Sequence, residues 1–189
     1  MKLFRYETSL DNLYNEKVPI IFLAGNTVRG NQPHLTSWRI ECVEEFTKQG
    51  FEGILVSPEF TVRTESDLGK GWIPRWEFTG LVNADAILFW IPRTRELIGL
   101  TTNYELGYWM GRNHEKVVYG RPDDAYRMSY PDIMNKVDAE DQGYDELPIY
   151  NTLSDTVAAS IALAQKRFDA GVRKTTAIQY TNPYTYNKV

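Results

Sequence analysis

Apolar residues in this chain gather in short unbroken runs, separated by stretches with a helical period. The first run is Val18-Pro19-Ile20-Ile21-Phe22-Leu23-Ala24-Gly25; others span Gly53 to Pro58, Ala86 to Ile91, Val117 to Gly120 and, more briefly, Leu147 to Tyr150. Runs of this length without polar alternation predict strands covered on both faces. Between them, Trp38, Ile40, Val43 and Phe46 trace a helical stripe from about Ser37 to Gln49, closed by Gly50. Pro74 suits the first turn of a helix reaching Asn83. Residues 101–113 form a further helix, and Ser154 and Asp155 cap a last one through about Ala170. Residues 1–17 read as a polar lead-in or a short edge element. Residues 123–136 read as helical or irregular, and 137–147 as an acidic, exposed stretch. The segment 171–189 is polar and tyrosine-rich and follows neither period.

Strand and helix therefore alternate about five times. The pattern predicts an α/β fold: three layers, α/β/α, around a five-stranded parallel sheet with right-handed crossovers, flavodoxin-like or Rossmann-like. No repeat or boundary interrupts it, so residues 1–189 read as a single domain with its core over about 18–170. Ligands in such folds bind at the carboxyl ends of the strands, near the reversal in strand order. That confines the search to the loops 25–34, 57–72, 91–101 and 120–130.

Composition narrows the function classes. The 189 residues are 42% hydrophobic and 24% charged, a globular balance. A net charge of -4 with no basic block argues against a nucleic-acid polymer as partner, and leaves a single nucleotide open. Cys42 is the lone cysteine, so no internal disulfide forms, and it reads as a buried, inert thiol. No apolar run has the length of a membrane span and no segment resembles a signal peptide, so the expectation is a soluble, cytoplasmic protein without a membrane partner. Aromatic residues reach 13%, which suits stacking on flat ligands or a subunit interface as well as core packing.

Three segments carry candidate chemistry. Gly25-Asn26-Thr27-Val28-Arg29-Gly30-Asn31 follows the first strand and can offer backbone N–H groups, a hydroxyl and a guanidinium to an anion. It has neither the lysine of a P-loop nor the dinucleotide glycine spacing, and a plain turn is equally open. Trp76-Glu77 lies on the helix before the third strand, and Asp85 opens that strand. Glu77 early in a helix is favoured by the dipole whatever its chemistry, and Asp85 also suits a cap or turn. Gly99-Leu100-Thr101-Thr102-Asn103-Tyr104-Glu105-Leu106-Gly107-Tyr108 enters a helix from the ligand end of the sheet. There Glu105 is either a substrate-facing carboxylate amid apolar bulk or an ordinary surface residue, and Gly107 would allow close helix–sheet packing. His34 and His114 stand alone without zinc or iron spacing, so no metal is expected. No Gly-x-Ser-x-Gly elbow supports a serine hydrolase.

Taken together these segments resemble the nucleoside 2-deoxyribosyltransferase superfamily, in particular its 2-deoxyribosyltransferase-like branch. The resemblance covers about residues 18–135, through Ile21 to Gly25, Ser37-Trp38-Arg39, Trp76-Glu77, Ala84 to Arg93, Gly99 to Gly107 and Gly120-Arg121-Pro122. It implies that Glu105 is the nucleophile on C1' of a nucleoside, forming a covalent glycosyl ester that a second base or water resolves. Glu77 would protonate or hold the leaving base. Gly25, Asn26, Thr27 and Arg29 would meet the sugar or its 5' end, as a similar loop does in the related 2'-deoxynucleoside 5'-monophosphate N-hydrolases. Thr102 and Asn103 would hold sugar hydroxyls or orient Glu105, with Asp85 among the substrate contacts and Trp38, Trp76 or Trp90 as possible stacking surfaces. No metal or organic cofactor is implied. Homo-oligomers whose neighbours complete each site are, and the tyrosine-rich tail is a candidate to cross between subunits. The chain departs from the pattern at Phe22, where transferases often carry Tyr, and at Gly99, where an acid is common. A 5'-monophosphate N-glycosidase and a non-catalytic nucleotide-binding module remain the alternatives.

Overall fold

A computed structural model of the chain describes residues 1–28, 32, 34–61 and 71–173. Its strands are β1 (Lys2–Phe4), β2 (Ile20–Gly25), β3 (Ile54–Val56), β4 (Ala86–Trp90), β5 (Val117–Gly120) and β6 (Ile149–Tyr150). Its helices are α1 (Trp38–Lys48), α2 (Ile73–Asn83), α3 (Leu100–Asn113), α4 (Ser129–Gln142) and α5 (Leu153–Asp169). The strands form one parallel sheet in the order β1-β3-β2-β4-β5-β6. The sheet has six strands rather than the expected five. The extra one, β1, pairs with the outer edge of β3, and three half-exposed residues are too few to establish a period in sequence. Without β1 the order is that of a flavodoxin-like sheet.

Successive residues along each central strand feed opposite layers. Ile20, Phe22 and Ala24 of β2 join Ile87 and Phe89 of β4 under Trp76 of α2 and Leu106, Trp109 and Met110 of α3. Ile21 and Leu23 join Ala86, Leu88 and Trp90 under Trp38, Cys42 and Phe46 of α1 and Val157 and Ala164 of α5. Cys42 is fully buried, and burial pushes its thiol up to about 12, so it stays protonated.

Several local expectations shift. α1 buries Trp38, Arg39, Cys42 and Phe46, while Ile40 faces outward, because the stripe runs through an arginine rather than an isoleucine. α4 absorbs residues 137–142 of the acidic stretch. Its inner face carries Asn135 and Ala139, and its apolar positions Tyr130, Ile133, Met134 and Val137 look outward, which masks its period. The cap of α5 is Thr152, whose hydroxyl accepts from Asp155 N at 3.1 Å; Ser154 instead donates to Glu45 at 2.7 Å. Gly107 is exposed with nothing near its missing Cβ, so it does not mediate close packing on the sheet. Among the described residues, no helix is long and apolar enough to cross a membrane.

Candidate functional site

The strand order reverses between β2 and β4, and a cavity of about 810 Å³ opens at their carboxyl ends. Gly25 closes β2 opposite Trp90 with φ +142°, and a side chain there would collide with the Trp90 carbonyl and the Trp38 ring. Only glycine lets the two strand ends approach this closely. Gly99, at φ +63°, turns the chain into α3, and its bare Cα lies against the Asn26 side chain. Sheet order divides the walls. Gly25, Thr27, Gly99 and Thr102 belong to the β2 and β4 end, whereas Arg5, Tyr6 and Phe60 follow β1 and β3.

Two carboxylates enter this cavity from different helices, Glu77 from α2 and Glu105 from the second turn of α3. Burial pushes Glu105 up to about 7, the charge of Glu77 adds to the rise, and the Arg39 guanidinium opposes it. Glu77 is also raised by burial, against the pull of a hydrogen bond from Tyr6 and the charge of Arg39. The Tyr6 hydroxyl donates that bond to Glu77 Oε1. Burial and the two carboxylates hold the phenol well above its ordinary range. Tyr6 in turn packs edge-on against Trp76 and lies 4.6 Å from the Phe60 ring, centroid to centroid.

Arg39 is the strut of the site. Buried at 2% exposure, it donates from Nε to Leu23 O (3.0 Å), from Nη2 to Gly25 O (3.1 Å), and from Nη1 to Asn26 O (3.3 Å), Thr27 Oγ1 (3.3 Å) and Glu59 Oε1 (3.2 Å). These bonds tie the end of β2, the following loop and the loop after β3 into one frame. Ser37 completes it by donating to Glu59 at 2.6 Å.

The structure thus brings together Glu77, Glu105, Gly25, Thr27 and Thr102 on the cavity wall. Three other expected contacts need correction. Asn26 is buried behind the wall: its Nδ2 donates to Leu97 O (2.6 Å), its carbonyl accepts from Trp38 Nε1 (2.8 Å), and its Oδ1 is left without a partner. Asn103 accepts a hydrogen bond from Arg93 and does not line the cavity. Two residues along a helix turn it by about 200°, so Asn103 and Glu105 face away from each other, whereas Thr102, three residues from Glu105, shares its face. Asp85 lies at the amino end of β4, about 16 Å of strand away from the cavity. There it accepts from Ile20 N (2.8 Å) and from Arg173 Nε (3.1 Å), so it anchors the chain rather than a substrate.

Arg29 and the segment 174–189 lie outside the described residues. Trp38, Trp76 and Trp90 are all more than 90% buried in the two core layers, so the aromatic rings on the wall are Tyr6, Phe22 and Phe60. His34 pairs with Glu96 at the surface and His114 stacks on Tyr144. Among the described residues no group of three His, Cys, Asp or Glu could hold a metal ion.

Sequence reading missed Tyr6, Arg39 and Glu59. Arg39 left a trace, since it falls on the buried side of a helix where an arginine needs partners. Tyr6 left none, because its segment has no period. No model of a known protein family matches the chain, and no curated protein matches it.

Proposed function

We propose that the protein cleaves or transfers the N-glycosidic bond of a nucleoside or nucleotide, with Glu105 as nucleophile. The observation that carries this is the pair of carboxylates from two helices in one cavity, with Glu105 held near neutrality by burial and by Glu77. The resemblance of the segments around both residues points the same way.

One proton serves the pair. Of the two singly protonated forms of the pair, the one with the proton on Glu77 reacts: a Glu105 oxygen forms a bond to C1' as the bond from C1' to the base nitrogen breaks. The departing base keeps that electron pair and takes the Glu77 proton. Glu77, now a carboxylate, then takes a proton from water or from a second base as that molecule attacks C1' and frees Glu105. Thr102 and Thr27 offer hydroxyls to the sugar. A 5'-monophosphate is the second substrate reading, favoured because α3 begins on the cavity wall at Gly99, an N-cap residue with no side chain to satisfy its first amides. Association with a second copy of the chain is part of the same proposal.

The test is incubation with deoxynucleosides and nucleoside 5'-monophosphates, with and without an acceptor base, following free base by chromatography. Glu105→Gln should lower base release roughly 10³-fold or more while leaving the protein folded. Glu105→Gln turnover equal to that of the parent removes Glu105 from the mechanism.

A further inference from the structure

Two arginines among the described residues line the cavity, and they are engaged very differently. Arg39 spends its guanidinium on five protein acceptors. Arg5 has its Nε buried without a hydrogen-bond partner, and no ion pair engages its guanidinium among the described residues. Its backbone is committed, the N–H donating to Thr8 Oγ1 at 3.4 Å and the carbonyl accepting from Thr8 N at 2.8 Å. A half-buried guanidinium without acceptors is costly, and a ligand that supplies acceptors recovers that cost.

Its position indicates which part of a ligand it meets. Arg5 immediately precedes Tyr6, and Tyr6 is bonded to Glu77, so Arg5 belongs to the Glu77 end of the cavity. In the reaction proposed above, on which this inference rests, Glu77 serves the leaving base. Phe60 gives that end a flat apolar ring. Arg5 therefore faces the base, whereas Gly25, Thr27 and Thr102 are left for the sugar.

We propose that Arg5 selects the base, and that the site takes a 6-oxopurine. The O6 and N7 atoms of such a base form a pair of acceptors matched to the guanidinium fork. Adenine sets an N6 amino group where O6 would be, so donor faces donor. Thymine and uracil offer a single exocyclic oxygen on the corresponding edge and engage half the fork. Inorganic phosphate also presents paired acceptors, and it is the necessary competitor.

The experiment is calorimetric titration of the Glu105→Gln protein, which binds without turning over, with deoxyinosine, deoxyadenosine, thymidine and inorganic phosphate. Deoxyinosine should bind about 10-fold or more tighter than deoxyadenosine or thymidine, and adding Arg5→Met should bring the three within about 3-fold. Arg5→Lys, which keeps the charge and loses the fork, should fall with Arg5→Met. Thermal melts establish that each variant is folded. Equal affinities in the Glu105→Gln protein, an unchanged preference in Arg5→Met, full preference in Arg5→Lys, or phosphate displacing deoxyinosine through Arg5 each overturn the proposal. The two readings separate cleanly. Arg5-dependent binding of deoxyinosine by a protein that releases no base supports base selection and ends the glycosidase reading. Base release indifferent to the purine does the reverse.

Discussion

Glu105 holds a proton longer than an exposed glutamate does, and that has consequences for stability as well as for chemistry. In the unfolded chain it ionises near its ordinary 4.5, in the folded chain near about 7. Between those values the folded state keeps a proton that the unfolded state has released, so stability falls as pH rises through this window, and the penalty is complete above about 7. Glu105→Gln removes the penalty. It should raise stability by roughly 1–3 kcal/mol at pH 8 and change little at pH 4.5, as read from urea denaturation at both pH values. An equal effect at the two pH values would mean that the side chain, not its charge, sets the cost. Base release needs the singly protonated pair, so it should fall as pH rises through about 7, where the pair loses its last proton. In Glu77→Gln, which has no acid left to ionise, the residual activity should instead climb with pH, with its midpoint below about 7 because a neighbouring negative charge is gone. Glu77 and Glu105 were legible in sequence as carboxylates placed near helix starts at the ligand end of the sheet. Asn103 was misread because polarity was weighed without helical phase. Tyr6, which touches Glu77 from the turn after β1, is visible only once the sheet is assembled.

At the scale of elements, the strands with unbroken apolar runs were the clearest part of the sequence, since burial on both faces leaves no polar position to confuse them. β1 and α4 were obscure for opposite reasons. β1 is too short, and α4 turns its apolar side outward. The amino edge of the sheet illustrates how a polar signal can serve structure instead of chemistry. Asp85 is fully buried in its side chain and paired with Arg173, which also donates to Glu16 O (2.6 Å) and Val18 O (2.8 Å). This clamp fixes the chain after α5 to the start of β2 and β4. Arg173→Met should leave Asp85 short of its main counter-charge and cost about 3–5 kcal/mol by urea denaturation. Base release per folded molecule should stay at the parent level, because the cavity lies at the other end of the strands. A selective loss of turnover without a loss of stability would return Asp85 to the substrate side.

For the whole molecule, the surface carries an unusual feature in α4. Tyr130, Ile133, Met134 and Val137 recur at intervals of three and four residues, the spacing of a single helix face, and that face points to solvent. Leu100 and Tyr104 are exposed on α3, the helix that packs beside α4, and Leu100 also borders the cavity mouth. Apolar side chains so arranged lose hydration cost only when something covers them, and monomeric proteins rarely leave such a stripe open. A second copy of the chain would meet it with the same apolar stripe, in a two-fold contact beside the cavity. Net charge per chain is only -4, so repulsion between two copies is small. Sedimentation velocity should therefore find a dimer or larger assembly, and Ile133→Glu with Val137→Glu should convert it to monomer. Base release should fall along with assembly if the partner's surface completes the cavity mouth, and the melting temperature should fall with dilution in the parent but not in the double variant. A parent that sediments as a monomer at tens of micromolar would leave the stripe to some other partner.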